Sequence, residues 1–422
     1  MSRVVHLLAW LVVGQPLHWR KADPPQAPLP AVRFSMAPMP SRGNVVAIGH
    51  GGEMLLWDGS AWNPHSPAGG TLGWGRMAYD SARDCIVKVG WNGETSEWDG
   101  VRWTQRAIGP GASSIHFDVA YHDGIARTVW CGYRPPVFCG PCETFLWDGT
   151  AWTQHLGQAQ PSGWQDMAYD RRRGSLLMYG ASSKSPGGCV FREETWAFNG
   201  YQWTGAFTPG LGSRRFPCLG YDASLDAVIL FGGYVGLSGL RDTWMWTGNS
   251  WQQLVVEGSP SARWDADLVY DQARLRLIAF GGDYHTWGPP NLETWLLFPR
   301  LVSATPATAP PGQNVAIAWN APGEANRVFA MAASLGIVPG IPLPDRRVIP
   351  LNVDGLFAWS FLSQSPPFVG FFGRLDSSGR ATANVLIPAD GRLSGVPFFV
   401  GGVTVSGGSI ARISNEERIT IQ

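Results

Sequence analysis

The chain has little charge and no excess of either sign. Of its 422 residues 15% are charged, and 32 Lys and Arg balance 32 Asp and Glu. A nucleic-acid-binding protein needs a basic surface that holds phosphates, so this balance argues against that class. Apolar runs are also short, since none reaches the roughly 18 residues that a membrane-spanning helix requires. The composition therefore predicts no nucleic-acid partner and no membrane span.

Residues for metal and redox chemistry are scarce. The eight histidines are scattered without an HExxH or similar spacing, so no metal site and no cofactor is predicted. The six cysteines are an even number, which fits disulfides in an oxidising compartment. The motif CGPC, from Cys139 to Cys142, matches the thioredoxin tetrapeptide, but it lies in a predicted loop between strands rather than at a helix N-terminus. A structural disulfide is the preferred interpretation.

The cysteine positions predict two bridges. Cys139 is expected to pair with Cys142 or with Cys131, which ends the preceding strand. Cys189 and Cys218 fall on the same predicted face of adjacent repeats and form the second candidate bridge. Cys85, within a strand, is predicted to be a buried free thiol.

The N-terminus has the pattern of an export signal. Arg3 precedes an apolar core from Val4 to Val13, and Val12 and Gly14 occupy the small cleavage positions. Residues 1–14 are therefore predicted to be a signal peptide of an extracellular or cell-envelope protein. His6 interrupts the core, so a buried N-terminal strand or a misassigned start is the alternative.

Glycine and tryptophan are abundant, with 53 and 22 residues, and they mark an internal repeat. "MAYDSARDCIVKVG" at 77 recurs as "MAYDRRRGSLLMYG" at 167 and "LVYDQARLRLIAFGG" at 268, with related copies between them. The spacing of about 40 to 50 residues is typical of propeller blades. Each copy continues into an apolar strand, a hairpin turn such as Asp-Gly or Asn-Gly, and a second tryptophan. Each repeat is therefore predicted to form four antiparallel strands.

The sixth repeat lacks its fourth strand, and the N-terminus supplies a candidate. In the other repeats the fourth-strand tryptophan precedes the next inner strand by 16 to 18 residues, and Trp19 precedes Ala37 by 18. We therefore predict that residues 15–24, which include "LHWRK", complete the last blade and close the ring.

These repeats resemble the bacterial kelch repeat, which is related in fold to the galactose oxidase propeller. The resemblance rests on the Tyr-Asp turn, the apolar run that ends in Gly-Gly and the paired tryptophans, and it covers residues 15–299. It implies a six-bladed propeller that serves as a binding module, a scaffold or, in some members, an enzyme. The copper site of galactose oxidase, built from tyrosines and histidines, has no matching set of positions here.

The remaining sequence predicts a second all-β domain. After a Pro- and Ala-rich linker at 300–312, short β-branched runs separated by Gly, Pro and Asp turns predict a β-sandwich over 313–422. It resembles the C-terminal β-domains of some secreted bacterial proteins, for which attachment or spacing is the expected role.

The candidate binding residues lie at the starts of the inner strands, where aromatic rings, carboxylates and arginines recur. They are Trp74, Arg76, His116, Asp118, Trp164, Asp166, Arg215, Phe216, Arg263, Trp264 and Asp267. A ring of aromatics, which also includes Phe34, suits stacking on sugars, but the same residues also suit packing between blades. The three aspartates suit either a hard cation or a solvated polar channel, and the arginines suit either a ligand carboxylate or the bracing of loops.

The sequence thus favours a secreted or envelope-associated, monomeric binding or scaffold protein. Its ligand is expected to be a glycan or a protein at one propeller face. The alternative is a carbohydrate-active enzyme, such as a lyase, epimerase or oxidase, with its site at the channel mouth.

Overall fold

The computed structural model describes most of the chain. The described residues are 17–22, 34–69, 73, 75–110, 117–133, 141–157, 161, 166–185, 188–236, 238–282, 292–362 and 365–422. They divide into two compact units, Trp19–Leu297 and Phe298–Gln422, the latter grouped with the segment that ends at His18. No helix within these ranges is long and apolar enough to cross a membrane.

The first unit consists of antiparallel sheets, one for each repeat, which we number as blades in chain order. The strands of blade 1 are Phe34–Met39, Asn44–Gly49, Met54–Trp57 and Trp62–His65. Those of blade 2 are Gly75–Asp80, Cys85–Gly90, Glu94–Trp98 and Trp103–Ile108. Those of blade 3 are Phe117–His122, Arg127–Gly132, Glu143–Trp147 and Trp152–His155. The strands of blade 4 are Met167–Asp170, Ser175–Ser185, Gly188–Phe198 and Trp203–Phe207. Those of blade 5 are Cys218–Asp222, Ala227–Phe231, Thr243–Trp246 and Trp251–Gln253. Blade 6 contains Asp267–Asp271, Arg276–Phe280 and Thr294–Pro299, with Leu17–Lys21 as its fourth strand. The fold is a six-bladed β-propeller.

The N-terminal strand closes the ring as predicted. Leu17–Lys21 lies in the sheet between Thr294–Pro299 and a short added strand, Val256–Glu257. The backbone amide of Ala22 donates to the carbonyl of Thr294 at 2.8 Å. Trp19 is 1% exposed, and its ring lies 5.2 Å from that of Phe231 in blade 5. Trp19 is therefore a core residue of the propeller.

A repeated hydrogen bond joins neighbouring blades. The indole Nε1 of Trp19 donates to Thr243 Oγ1 at 3.0 Å, from the outer strand of blade 6 to the third strand of blade 5. The same bond, at 2.9 to 3.0 Å, joins four further pairs: Trp62 and Thr294, Trp152 and Thr95, Trp203 and Thr144, Trp251 and Thr195. In blade 1 the threonine position holds Met54, opposite Trp103. The paired indole explains why the outer-strand tryptophan recurs in the sequence.

The second unit is a two-sheet β-sandwich. One sheet contains Val302–Thr305, Asn314–Asn320, Arg380–Leu386 and Phe368–Val369; the other contains Thr308–Ala309, Glu417–Ile421, Pro397–Ser406, Val328–Ser334, Phe372–Arg374 and Ser409–Ile413. In Asn314–Asn320 exposed and buried residues alternate, and Val315, Ile317 and Trp319 belong to the core. This period of two is the pattern of a strand with one buried face.

Two features of this unit differ from the sequence analysis. The predicted linker 300–312 contains the strands Val302–Thr305 and Thr308–Ala309, and Val302 is a fully buried core residue. The alternation of Val302 and Ala304 with Ser and Thr is a strand pattern that the neighbouring prolines obscured. The unit also has one described α-helix, Gly355–Leu362, where Ser360 Oγ accepts a hydrogen bond from the amide of Ala333 at 2.7 Å.

Candidate functional site

One position recurs at the start of the six inner strands. It is occupied by Ser35, Arg76, Asp118, Asp166, Cys218 and Asp267. At four of these positions the side chain accepts a hydrogen bond from the backbone amide of the next inner strand. Met77 donates to Ser35 Oγ at 3.1 Å, Met167 to Asp118 Oδ2 at 2.7 Å, Leu219 to Asp166 Oδ2 at 2.7 Å, and Met36 to Asp267 Oδ2. The predicted aspartates therefore join blade to blade around the ring.

The structure brings the predicted Arg76 and the aspartates together. The Arg76 guanidinium donates to Asp267 Oδ1 at 3.0 Å and to Asp265 Oδ1 at 2.9 Å, and its Nε lies 3.9 Å from Asp118 Oδ1. The Met167 amide contacts both Asp118 Oδ2 and, at 3.1 Å, Asp166 Oδ1. We call these five side chains the ionic cluster. It contains four carboxylates and one guanidinium, so its formal charge is negative.

Burial and mutual repulsion shift the titration of the cluster. Burial raises the pKa of Asp267 to about 6, with Arg76 acting in the opposite direction. Burial, and then the charge of Asp118, hold the pKa of Asp166 well above its usual range. Burial lowers the pKa of Arg76, but the surrounding aspartates outweigh it and raise the pKa overall. Asp166 and Asp267 thus carry protons more readily than solvated aspartates do.

A central cavity of about 210 Å³ runs along the inner strands. One end is lined by Ser35, Asp118, Asp166 and Asp267, which occupy the recurring position just described. Its other end is lined by turn residues that follow the inner strands, and among these Ser81 and Gln272 are exposed to solvent. The cavity is therefore open to solvent where the inner strands end, whereas the sequence predicted a ligand site where they begin.

A ring of tyrosines lines the cavity and was missed as a candidate site. Five inner strands carry a tyrosine two residues after Met77 or its equivalent: Tyr79, Tyr121, Tyr169, Tyr221 and Tyr270. The signal is present in the sequence as the recurring Tyr-Asp pair, which also fits a purely structural turn motif. The aspartate of the pair does have a structural role, because Asp80 Oδ1 accepts the amides of Ala82 and Arg83 at 3.0 Å.

The predicted ring of aromatics is not one equivalent set. Phe34 lies inside its strand, paired with Gly49, and packs 4.7 Å from Phe280 of blade 6, so it is a core residue. When blades 5 and 6 are aligned on Leu219 and Leu268, Phe216 aligns with Asp265, and Arg215 aligns with Trp264. The aromatic residues of these two blades therefore occupy loop positions that differ by one residue. Trp74, His116 and Trp164 lie outside the described residues.

Blade 5 and blade 6 nevertheless form one aromatic surface. The ring of Phe216 stacks on that of Tyr234 at 6.0 Å, and Tyr234 lies 5.1 Å from Trp264. The Arg215 guanidinium lies 5.2 Å from the Tyr234 ring and donates to its Oη at 3.3 Å. All four side chains are partly exposed. We call Arg215, Phe216, Tyr234 and Trp264 the aromatic platform.

Arg263 does not belong to a ligand-binding surface. Its side chain is fully buried, and it donates to Glu293 Oε2 at 2.7 Å and to the carbonyl of Gly281 at 3.1 Å. Arg214 makes the corresponding contacts in blade 5, to Asp242 and to the carbonyl of Gly232. The prediction of Arg263 as a binding residue is wrong, because this arginine braces the loop between the second and third strands of its blade.

The predicted disulfides are not present in the described residues. Cys131, Cys142 and Cys218 are buried free thiols, as is Cys85, for which that state was predicted. Cys218 begins an inner strand, whereas Cys189 pairs with Lys184 in the part of a long hairpin that extends beyond a bulge. Cys139 and the side chain of Cys189 lie outside the described part of the chain, as does the predicted signal peptide. Among the described residues, no group of three or more His, Cys, Asp or Glu is arranged to hold a metal ion.

Comparisons with known proteins add little. No family model matches the chain, and a search of curated proteins finds no match. Among solved structures, one described as "YCF48 bound to D1 peptide" is 15% identical and covers 66% of this chain and 95% of its own. Its TM-score is 0.36, so the propeller assignment rests on the sheets themselves.

Proposed function

We propose that this protein is an exported binding protein that holds an acidic glycan on the aromatic platform of a kelch-type propeller. The observation that carries the proposal is the platform itself, where three partly exposed rings adjoin one guanidinium. Aromatic faces stack on the apolar faces of sugars, and an arginine fork binds a carboxylate. The apolar segment after Arg3 supports export, and the recurring repeat supports membership of the kelch class.

The alternative of a carbohydrate-active enzyme has weaker support. A glycosidase needs two carboxylates that reach the sugar. Asp118, Asp166 and Asp267 instead each accept a backbone amide of the neighbouring blade. These aspartates therefore join neighbouring blades. The four residues of the aromatic platform include no pair of carboxylates.

The test compares retention of glycans by platform variants and by a control. Trp264→Ala is expected to weaken binding to uronic-acid oligosaccharides on an array about 2-fold to 10-fold, since a stacked ring contributes roughly 0.5–1.5 kcal/mol. Arg215→Gln removes the charge that pairs with the uronic-acid carboxylate and is expected to weaken binding by at least as much. Trp91→Ala removes an exposed tryptophan of blade 2, 55% accessible, and is expected to leave retention unchanged. Unchanged retention in folded platform variants contradicts the proposal, as does binding of acidic proteins but of no glycan.

A further inference from the structure

Two cysteines of blade 3 lie side by side in the core of the propeller. Cys131 is near the end of the second strand and is 3% exposed, and Cys142 immediately precedes the third strand and is 2% exposed. Their thiols are in hydrogen-bond contact with each other, and both belong to one core cluster. The strand pairing explains this contact. Cys131 is opposite Thr144, so Cys142, two residues before Thr144, falls on the same face of the sheet.

The other five blades have no such pair. Their residues at the position of Cys131 are larger and apolar or aromatic: Ile48, Val89, Tyr179, Phe231 and Phe280. At the position of Cys142 they have glycine, glutamate, arginine or leucine. The two cysteines therefore occur together in one blade, at two positions that the strand register brings close to each other.

The pair occupies space that a ring fills elsewhere. In blade 5 the ring of Phe231 lies 5.2 Å from that of Trp19, the outer tryptophan of the next blade. In blade 3, Cys131 and Cys142 share a core cluster with Trp203, which is the corresponding tryptophan of blade 4. A thiol is much smaller than a phenyl ring, so the second sulfur fills space that a single cysteine would leave empty.

We propose that Cys131 and Cys142 form a disulfide that closes the loop between the second and third strands of blade 3. The bond joins sulfurs that already contact each other, and it links the two ends of residues 132–141. Cys142 precedes the paired residues of its strand, where a small shift of the backbone brings the sulfurs to bonding distance. The corresponding loop of blade 5 carries Tyr234 of the aromatic platform, so the bridge constrains a loop of the kind that presents the proposed ligand site.

The bridge is compatible with the hydrogen bonds that join blades 3 and 4. Thr144 Oγ1 donates to the Cys131 sulfur at 3.9 Å and accepts the indole Nε1 of Trp203 at 3.0 Å. A disulfide sulfur keeps lone pairs that accept a hydrogen bond, as a thiol sulfur does. Oxidation therefore removes the thiol protons and leaves the bond between Thr144 and Trp203 in place.

Disulfide formation needs an oxidant, here a small-molecule disulfide such as glutathione disulfide. One cysteine thiolate attacks a sulfur of this disulfide, so that a mixed disulfide forms and one glutathione thiolate leaves. The second cysteine thiolate then attacks the protein sulfur of the mixed disulfide and releases the second glutathione thiolate. The two cysteines lose two electrons, which glutathione disulfide gains, and the two thiol protons end on glutathione.

Burial determines when the bridge forms. It raises the pKa of the Cys131 thiol well above its usual range, so the folded protein holds little of the reactive thiolate. Exchange with a disulfide in solution is therefore slow once the propeller has folded. The bridge is expected to form while blade 3 is still folding and both thiols are accessible.

The first test maps the cysteine bonds of the full chain after refolding with excess glutathione disulfide. Free thiols are blocked with N-ethylmaleimide, and chymotrypsin then separates Cys131 from the CGPC motif by cleavage after Tyr133. Fragmentation within the motif, at Gly140–Pro141, distinguishes Cys139 from Cys142. The expected product joins Cys131 to Cys142 and carries the blocking group on Cys139. A bridge that uses Cys139 overturns the proposal, as does blocking of all six cysteines, the result expected for a control reduced with dithiothreitol.

The second test compares the thermal unfolding of oxidised and reduced protein. The bridge should raise the melting temperature of the oxidised wild type by several degrees. Cys131→Val, which introduces the residue of blade 2, and Cys142→Ala should lose this difference. Cys139→Ser should keep it, as should the matched control Cys85→Val, which removes a buried free thiol of blade 2.

A difference that persists in both Cys131→Val and Cys142→Ala overturns the proposal, as does its loss in Cys139→Ser. Neither test involves a glycan, so the outcome is independent of the function proposed for the aromatic platform.

Discussion

Single residues in this propeller have different roles at equivalent positions. The position that starts each inner strand holds three aspartates, an arginine, a serine and a cysteine. Sequence alone identified the aspartates and Arg76 as neighbours around a channel, and the structure brings them together. The sequence could not show that the carboxylates accept amides of the next blade, because that depends on which carboxylate oxygen faces which strand.

Asp222 provides the clearest test of a shifted carboxyl group. Burial raises its pKa to about 6, although its Oδ1 accepts the amides of Ser224 and Leu225. Between pH 4 and pH 6 the native protein therefore holds a proton that the unfolded chain releases, so this group makes the free energy of unfolding fall as pH rises. Asp222→Asn lacks this proton, so its free energy of unfolding relative to that of the wild type is expected to rise by about 2–3 kcal/mol between pH 4 and pH 7. Urea unfolding at a series of pH values measures this difference.

The control for Asp222→Asn is Asp148→Asn. Hydrogen bonds from Thr150 and Ala151 hold the pKa of this exposed carboxyl at about 2, so it titrates below the pH range of the experiment. The stability of this variant relative to wild type should be nearly constant between pH 4 and pH 7. If the relative stability of Asp222→Asn depends on pH no more than that of the control does, the raised pKa of Asp222 is contradicted.

At the scale of strands and hairpins, the sequence was most informative. The Asp-Gly and Asn-Gly segments do lie in hairpin turns, where Trp98 pairs with Trp103 and Phe198 with Trp203. The glycines have positive φ, +94° at Gly100 and +95° at Gly200, but Asp99 and Asn199 do not, so these are not type I′ turns centred on the two residues. Asp99 Oδ1 instead accepts the amides of Val101 and Arg102. The recurring outer tryptophan located the strand Leu17–Lys21, although almost 280 residues separate it from its neighbour. The loops were less predictable, since the one-residue shift between Phe216 and Trp264 leaves no periodic signal.

The hydrogen bond between tryptophan and threonine makes a measurable contribution between blades. Thr243→Val keeps the side-chain volume but removes the acceptor of the buried Trp19 indole. We expect the free energy of unfolding to fall by about 1–3 kcal/mol, the cost of a buried donor without a partner. Thr153→Val, at an exposed position of an outer strand, should change stability by less than about 0.5 kcal/mol. Equal effects of the two substitutions would show that the bond between blades contributes nothing.

At the scale of the whole molecule, the two units were predicted from a change in pattern. The repeats end at the sixth blade, and the β-branched runs that follow form the sandwich with its own core. The exact start of the sandwich was not predictable, because prolines and alanines at 304–311 suggested a linker where two short strands lie. The candidate site was only partly predictable, since the tyrosines that line the cavity also fit a purely structural motif.

Closure of the ring determines the stability of the first unit. Deletion of residues 15–24 exposes the edge of Thr294–Pro299 and removes the buried Trp19. We expect the propeller to lose about 3–5 kcal/mol, which is the usual cost of removing a buried tryptophan and a large part of a typical domain's stability. Thermal unfolding followed by tryptophan fluorescence measures the change. An unchanged melting temperature after deletion would contradict the role of the N-terminal strand.

The closing strand also determines the order in which the propeller folds. Lys21 and Glu293 form an ion pair across 272 positions of the chain, so their encounter costs about 5 kcal/mol of loop entropy, whereas each hairpin closes locally. The last blade therefore completes late, after the other sheets have formed. Until then its third strand offers an open edge, and the N-terminal strand of another molecule competes for it. Refolding at high concentration should consequently yield domain-swapped oligomers, and dilution should favour the monomeric ring.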